Sequence, residues 1–172
     1  MTNRDLRKPT LAALAQLLGP LGYRSASSLF TREVQDVVHL VEVQGSRQSI
    51  AGSAKFTVNI GILVPAAIYP DVRESTKPSV PQAHWRARLG SLSPERSDLW
   101  WQVHTLLDAE LVARDVAARV EQHALPALSR LQSSQDPIAL WLSGSSPGLT
   151  VAQRAELLAR LLQATHCHAS AA

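Results

Sequence analysis

The sequence predicts an α+β fold: an antiparallel sheet of about four strands packed on one face by helices, with a C-terminal helical extension. Three observations support this prediction. Residues 54–64 alternate strictly between apolar and other side chains, and apolar residues recur at helical spacing near both ends of the chain. A short polar loop over residues 45–52 joins the strand-like segment of residues 37–44 to the alternating one. Strict period-two alternation is typical of a strand with one buried face, and short connections require antiparallel pairing.

The strand over residues 55–64 organises the predicted sheet. Its apolar face carries Ala54, Phe56, Val58, Ile60, Ile62 and Val64, and its other face carries Lys55, Thr57, Asn59 and Gly61. Residues 37–44 predict a second strand, apolar on both faces at its start and polar on one face at its end, as expected for a partly covered position. Residues 28–33 and 84–90 supply the remaining strand segments.

Helices are predicted before and after the sheet. Leu11, Leu14, Ala15 and Leu18 define a first helix that begins either near Asn3 or with Thr10 as its N-cap. Residues 99–104 fit a last short strand or the start of a helix, and helical patterning follows from residue 108. We therefore expect an α+β domain over residues 1–135 and a helical extension over residues 136–172, packed on or next to that domain.

Composition narrows the class of protein. The 172 residues are 45% hydrophobic and 18% charged with a net charge of +3, which suits a globular chain, and no apolar run approaches a membrane span. The amino terminus lacks the apolar segment of a signal peptide, so we expect a cytoplasmic protein without a membrane partner. We expect no cofactor. The tract His166-Cys167-His168 offers three adjacent ligands, whereas structural zinc requires four, so no metal site is predicted there.

Several short segments, taken in order, resemble one protein family. They are Gln44 with Ser46, residues 56–61, residues 84–90 and the pair Trp100-Trp101, with residues 21–23 and Leu125-Pro126 similar as well. In this order they resemble the bacterial domain of unknown function 4304 family over roughly residues 10–131. The resemblance implies an α+β domain and no assigned activity. The family pattern has a cysteine where this chain has Ala83, so thiol chemistry or metal ligation at that position is not expected.

The candidate site lies on the polar side of the predicted sheet. If the strands share one sheet, Lys55, Thr57 and Asn59 lie on the same surface as His84, Arg86 and Arg88, with Gln44 and Arg47 nearby. Two arginines separated by about 7 Å along a strand repel each other by roughly 2 kcal/mol at an effective dielectric of 20, so an anion is expected between them. That anion is either internal, from Glu42, Glu33, Asp36 or a helical carboxylate, or an external phosphate or carboxylate.

Two functions follow from this surface. The first is a non-enzymatic binding module whose arginine-bearing face contacts an acidic protein partner or an anion. The alternative is an enzyme or ligand-binding protein acting on a phosphorylated small molecule or nucleic acid with His84, Arg86 and Arg88. Nucleic acid is disfavoured because no aromatic residue falls on the predicted polar face. A binding module predicts a broad, shallow basic surface, whereas an enzyme predicts a closed pocket on which His84 and Arg86 converge.

Overall fold

Strand β4 (Ala54–Leu63) lies in the middle of an antiparallel sheet. The computed structural model describes residues 3–47, 52–68, 78–145 and 149–169, with side chains between residues 6 and 163. The other strands are β1 (Arg24–Ala26), β2 (Leu29–Val34), β3 (Val37–Gly45), β5 (Trp85–Arg88) and β6 (Trp101–Val103). One edge of β4 pairs with β3, which pairs in turn with β2, and β2 pairs with β1. The other edge of β4 pairs with β5 at one end and with β6 at the other.

The α+β class and the antiparallel pairing of β3 with β4 are confirmed. The sheet has six strands rather than about four, because β1 and β6 are three-residue strands that leave little periodic signal. Residues 99–104 contain strand β6, so the choice between strand and helix is resolved in favour of a strand. Thr105 then begins a helix with a capping box, in which its side chain and that of Asp108 each accept a backbone N–H.

Two helices cover the apolar face of the sheet. Helix α1 (Asn3–Leu18) packs on α3 (Leu106–Arg119), and the core between helices and sheet includes Leu14, Phe30 and Ile60. Thr10 is not an N-cap. It lies inside α1, where its hydroxyl donates to the Leu6 carbonyl oxygen at 3.0 Å. A one-turn helix α2 (Leu89–Leu92) follows β5 directly.

The helical winding changes after α3. Residues 120–124 are π-helical and lead into α4 (Leu125–Leu128), where Pro126 has no N–H to offer the preceding turn. Helices α5 (Gln135–Leu142) and α6 (Val151–Ala169) complete the chain. Ile138, Trp141 and Leu161 are buried in the same core as the sheet, so the predicted extension contributes to the hydrophobic interior.

The second face of the sheet is divided into two halves. At one end Leu40 and Leu63 form a small apolar cluster with Val80 and Ala83, which come from the segment around the 3-10 turn Val80–Gln82. Gly61 allows this close approach, since a Cβ atom there would lie 2.9 Å from the Cβ of Ala83. The covered half explains why β3 begins apolar on both faces. The uncovered half carries the polar residues.

Candidate functional site

The uncovered half of the second sheet face forms a cavity of about 580 Å³, here called the arginine cavity. Strand register places Asn59 of β4 directly opposite Glu42 of β3 and Arg88 of β5. The cavity is lined by Arg7, Ser28, Glu42, Val43, Gln44, Gly45, Asn59, Val80, Pro81, Arg86, Ala87 and Arg88. Gln44 is exposed and both β5 arginines are half-buried, so the cavity is open to solvent.

Three arginines from two separate parts of the chain reach this cavity. Arg86 donates to the Pro81 carbonyl oxygen at 3.2 Å, and Arg88 forms an ion pair with Asp98. Arg7 was not predicted as a site residue. It projects from α1 and donates to the Val43 carbonyl oxygen at 2.5 Å, and its buried Nε makes no hydrogen bond to the described residues. The arrangement holds the guanidinium groups by backbone carbonyls and one carboxylate.

Two of the internal carboxylates expected beside the arginines lie elsewhere. Glu33 is 3.9 Å from Arg24 at the far edge of the sheet, and Asp36 accepts the backbone N–H of Ser134 at 2.9 Å. Glu42 does line the cavity, but its carboxylate makes no hydrogen bond or ion pair with the described residues. The paired carboxylate is Asp98, which comes from the loop after α2 and carried no periodic signal.

Trp100 adds an aromatic surface beside the polar residues of β4 and β5. Its ring centroid lies 5.4 Å from Lys55 Nζ and 5.5 Å from Arg88 Cζ, both within cation–π range. Its Nε1–H donates to Asp98 at 3.0 Å. Hydrogen bonds from Arg88 and then Trp100 lower the pKa of the Asp98 carboxyl group. The expectation that the polar face lacks an aromatic residue is therefore wrong.

The Trp100-Trp101 pair itself contained the missing signal. In extended chain the two adjacent indoles lie on opposite faces, and Trp101 is buried, stacked on Phe56 with 5.9 Å between ring centroids. Neighbouring side chains of extended chain point to opposite faces. With Trp101 in the core, Trp100 had to lie on the polar side.

The other predicted residues of this face have distinct surroundings. Asn59 donates to the Gln44 side chain at 2.7 Å, and both residues line the cavity. Thr57 is buried, and its hydroxyl donates to the Leu99 carbonyl oxygen at 2.9 Å, so it anchors the loop that carries Trp100. Arg47 is exposed in the turn after β3 and does not line the cavity.

His84 does not share the arginine surface, so that part of the prediction is wrong. The β4–β5 ladder begins at Trp85, and the chain bends at His84, which takes its ring out of the alternation. The ring is buried, and its Nδ1 accepts the Val64 backbone N–H at 3.0 Å. Burial, and secondarily the charge of Arg160, lower the pKa of His84 to about 4. His84 and Arg86 therefore do not converge on one point.

Metal ligation and membrane insertion find no support in the described ranges. No group of three or more His, Cys, Asp or Glu side chains could hold a metal ion among the residues that the structure describes. The side chains of His166, Cys167 and His168 lie outside those described. None of the described helices is both long enough and apolar enough to span a membrane.

Comparison with known proteins identifies the family. A family model described as "Domain of unknown function (DUF4304)" matches residues 14–130, which is more than half of the chain. Neither the curated proteins nor the solved structures contain a significant match. The matched region holds all six strands and helices α2 to α4, whereas α5, α6 and most of α1 lie outside it or extend beyond it. The chain therefore belongs to the domain of unknown function 4304 family.

Proposed function

We propose that this protein is a non-enzymatic binding module that holds an acidic segment of a partner protein in the arginine cavity. The observation that carries the proposal is the gathering of Arg7, Arg86 and Arg88 around one open cavity. Guanidinium groups present several N–H donors in a fixed plane and suit forked contacts with carboxylates. An acidic side chain entering the cavity would meet donors from both α1 and β5.

The charge balance of the lining favours an anion. Among the described residues of the lining, three arginines accompany one carboxylate, Glu42, and Asp98 pairs with Arg88 from outside the cavity. The remaining positive charge is attractive over about 8–10 Å at physiological ionic strength. A carboxylate placed near Arg7 and Arg86 would be stabilised by both.

The position of His84 argues against catalysis at this surface. The enzyme hypothesis required His84 and Arg86 to converge, but the His84 ring is buried and lines a different cavity. A general acid or base must lie within hydrogen-bonding reach of the group that it protonates. The arginine cavity contains no such residue among its lining, apart from Glu42.

A second candidate ligand, a nucleotide or single-stranded nucleic acid, is favoured by Trp100 alone. Its ring is 36% exposed and lies against two cations, an arrangement that could stack a base while the arginines hold a phosphate. We rank it second because one aromatic residue is a limited platform.

Fluorescence anisotropy with a fluorescein-labelled hexaglutamate peptide tests the proposal. We expect Arg86→Gln and Arg7→Gln each to weaken binding about tenfold, the usual consequence of losing a hydrogen bond to a charged group. Arg24→Gln is the matched control, because Arg24 lies on the far strand with its side chain 86% exposed. Binding should also weaken as salt is raised.

Each outcome decides between the candidates. Equal affinity of the wild type and both cavity variants would refute the proposal, whatever the affinity itself. Displacement of the peptide by adenosine monophosphate, together with its loss in Trp100→Leu, would support the nucleotide alternative. Weakening in Arg24→Gln as large as in the cavity variants would show non-specific attraction only.

A further inference from the structure

A second cavity lies between helix α6 and the chain segments around residues 67–68 and 81–84. It encloses about 320 Å³, within the range of small-molecule sites. We call it the His84 cavity. It is lined by Ala67, Ile68, Pro81, Gln82, Ala83, His84, Leu149, Gln153, Glu156, Leu157 and Arg160. Only Pro81 is shared with the arginine cavity. Six of these eleven residues are apolar, and the polar groups are few, which is the usual composition of a ligand pocket.

The protonation of His84 follows from its hydrogen bond. Nδ1 accepts the Val64 N–H, so in the neutral ring the proton must be on Nε2. The ring is neutral at physiological pH because burial keeps its pKa near 4. Nε2–H is therefore a fixed donor, on a residue that forms part of the cavity wall.

This donor has no acceptor among the residues that the structure describes. His84 is 1% exposed, and its Nε2 makes no hydrogen bond to any of those residues. Leaving a buried donor unsatisfied costs about 1–3 kcal/mol. In native structures the large majority of buried polar side-chain atoms have a hydrogen-bond partner. An acceptor supplied by a ligand would remove it.

Helix α6 supplies the opposite wall at regular helical spacing. Gln153, Glu156, Leu157 and Arg160 recur at intervals of three and four residues, so they share one side of the helix. Glu156 and Arg160 form an ion pair, and their charges cancel. With His84 neutral, the lining carries no formal net charge. A ligand therefore needs an apolar body and an acceptor oxygen more than it needs a charge.

We infer that the His84 cavity is a binding site for a small, mainly apolar molecule carrying a carbonyl or carboxylate oxygen that accepts from His84 Nε2–H. The site is independent of the arginine cavity and of the function proposed for it. It is built between the family-matched region, which ends at residue 130, and helix α6 beyond it. Ligand binding would thus fasten α6 to the rest of the protein.

Three probes of similar size test this inference: benzamide, benzoate and toluene, which carry a neutral acceptor, a charged acceptor and none. Titration of the full chain would be followed by the imidazole ¹⁵N and ¹H resonances of His84. We expect benzamide or benzoate to bind saturably at millimolar concentration, to shift the Nε2 resonance and to raise the melting temperature. Toluene should bind at least about fivefold more weakly.

His84→Asn is the matched variant. The asparagine carbonyl oxygen can replace Nδ1 as the acceptor of the Val64 N–H, whereas the Nε2–H donor is lost. We expect the variant to fold and to bind the oxygen-bearing probe about tenfold more weakly, as for one lost hydrogen bond. Leu157→Trp, which fills the cavity from α6, should abolish binding and provides the test if His84→Asn does not fold.

The results distinguish a neutral carbonyl ligand from a carboxylate ligand, and both from the absence of a site. Preference for benzamide identifies a neutral carbonyl ligand, and preference for benzoate identifies a carboxylate that also uses Arg160. The inference is overturned if no probe binds saturably, if toluene binds as tightly as the others, or if Leu157→Trp leaves the affinity unchanged. Arg86→Gln should not alter probe binding, which keeps this result distinct from that for the arginine cavity.

Discussion

Lowering the pH from 7 to 4 should destabilise the folded protein through His84. In the unfolded chain a histidine has a pKa near 6.5, whereas in the folded protein the pKa of His84 is about 4. Between these two values the unfolded chain binds a proton that the folded protein rejects, so stability falls as the pH falls. The folded protein has its full stability with respect to His84 above pH 6.5, and the loss due to this residue is nearly complete at about pH 4.

The magnitude follows from the same two values. Each tenfold change in a protonation equilibrium corresponds to about 1.4 kcal/mol, so a fall from 6.5 to about 4 is worth about 3 kcal/mol of folding free energy. That is a large share of the 5–15 kcal/mol typical of a domain. The charged groups facing the ring from α6 are Arg160 and Glu156, and Arg160 acts in the same direction as burial.

Urea denaturation at pH 7, 6, 5 and 4.5 would measure this effect in the wild type and in His84→Asn. The buried His39 also has a lowered pKa, chiefly because of burial, so the wild-type loss includes a second histidine. The difference between the two proteins isolates His84. Equal loss of stability in the wild type and in His84→Asn between pH 7 and 4.5 would refute this prediction. Titration of the His84 ring near pH 6.5, followed by NMR, would refute it as well.

Three further predictions concern stability and binding. Gly90→Ala should cost about 1–3 kcal/mol in urea denaturation, because a Cβ there would lie 2.2 Å from a backbone oxygen, whereas Gly19→Ala meets no atom within 4 Å and should be neutral. Equal stability of these two variants would contradict it. Asp98→Asn should change stability by less than about 1 kcal/mol but strengthen hexaglutamate binding severalfold, since it releases an arginine of the cavity. Unchanged or weaker anisotropy binding would count against the proposed function. Leu161→Ala should cost about 2–5 kcal/mol, because Leu161 is fully buried, whereas the neighbouring, 36% exposed Leu162→Ala should cost much less. A small loss in both would show that α6 does not stabilise the core.

Periodicity predicted the parts of the fold in which local pattern and burial agree. The alternation along β4 and its antiparallel pairing with β3 followed directly from the sequence, since a one-residue slip would turn every apolar side chain to the wrong face. Arg86 and Arg88 were placed on one surface for the same reason. Assigning a side chain to a face by alternation is valid only within the paired part of a strand.

The errors occur where strands end. His84 was assigned by the parity of β5, but the ladder begins one residue later and the histidine faces α6 and Trp141 instead. Asp98 reaches Arg88 from a loop whose course depends on the tight approach at Gly90. Arg7 enters the site from a helix on the other side of the sheet. Such contacts are set by tertiary packing and leave no period in the sequence.

The packing of α1 on α3 has a consequence for protein synthesis. These helices are neighbours in the fold, yet Leu18 ends α1 and Leu106 begins α3, 88 positions later. At 5–20 residues per second the ribosome needs on the order of ten seconds to supply the second helix. During that time the apolar side of α1, with Leu6, Leu14 and Leu18, waits without its partner. Exposed apolar surface of this kind makes a nascent chain prone to aggregation, and the sheet cannot be fully covered until translation has passed α3.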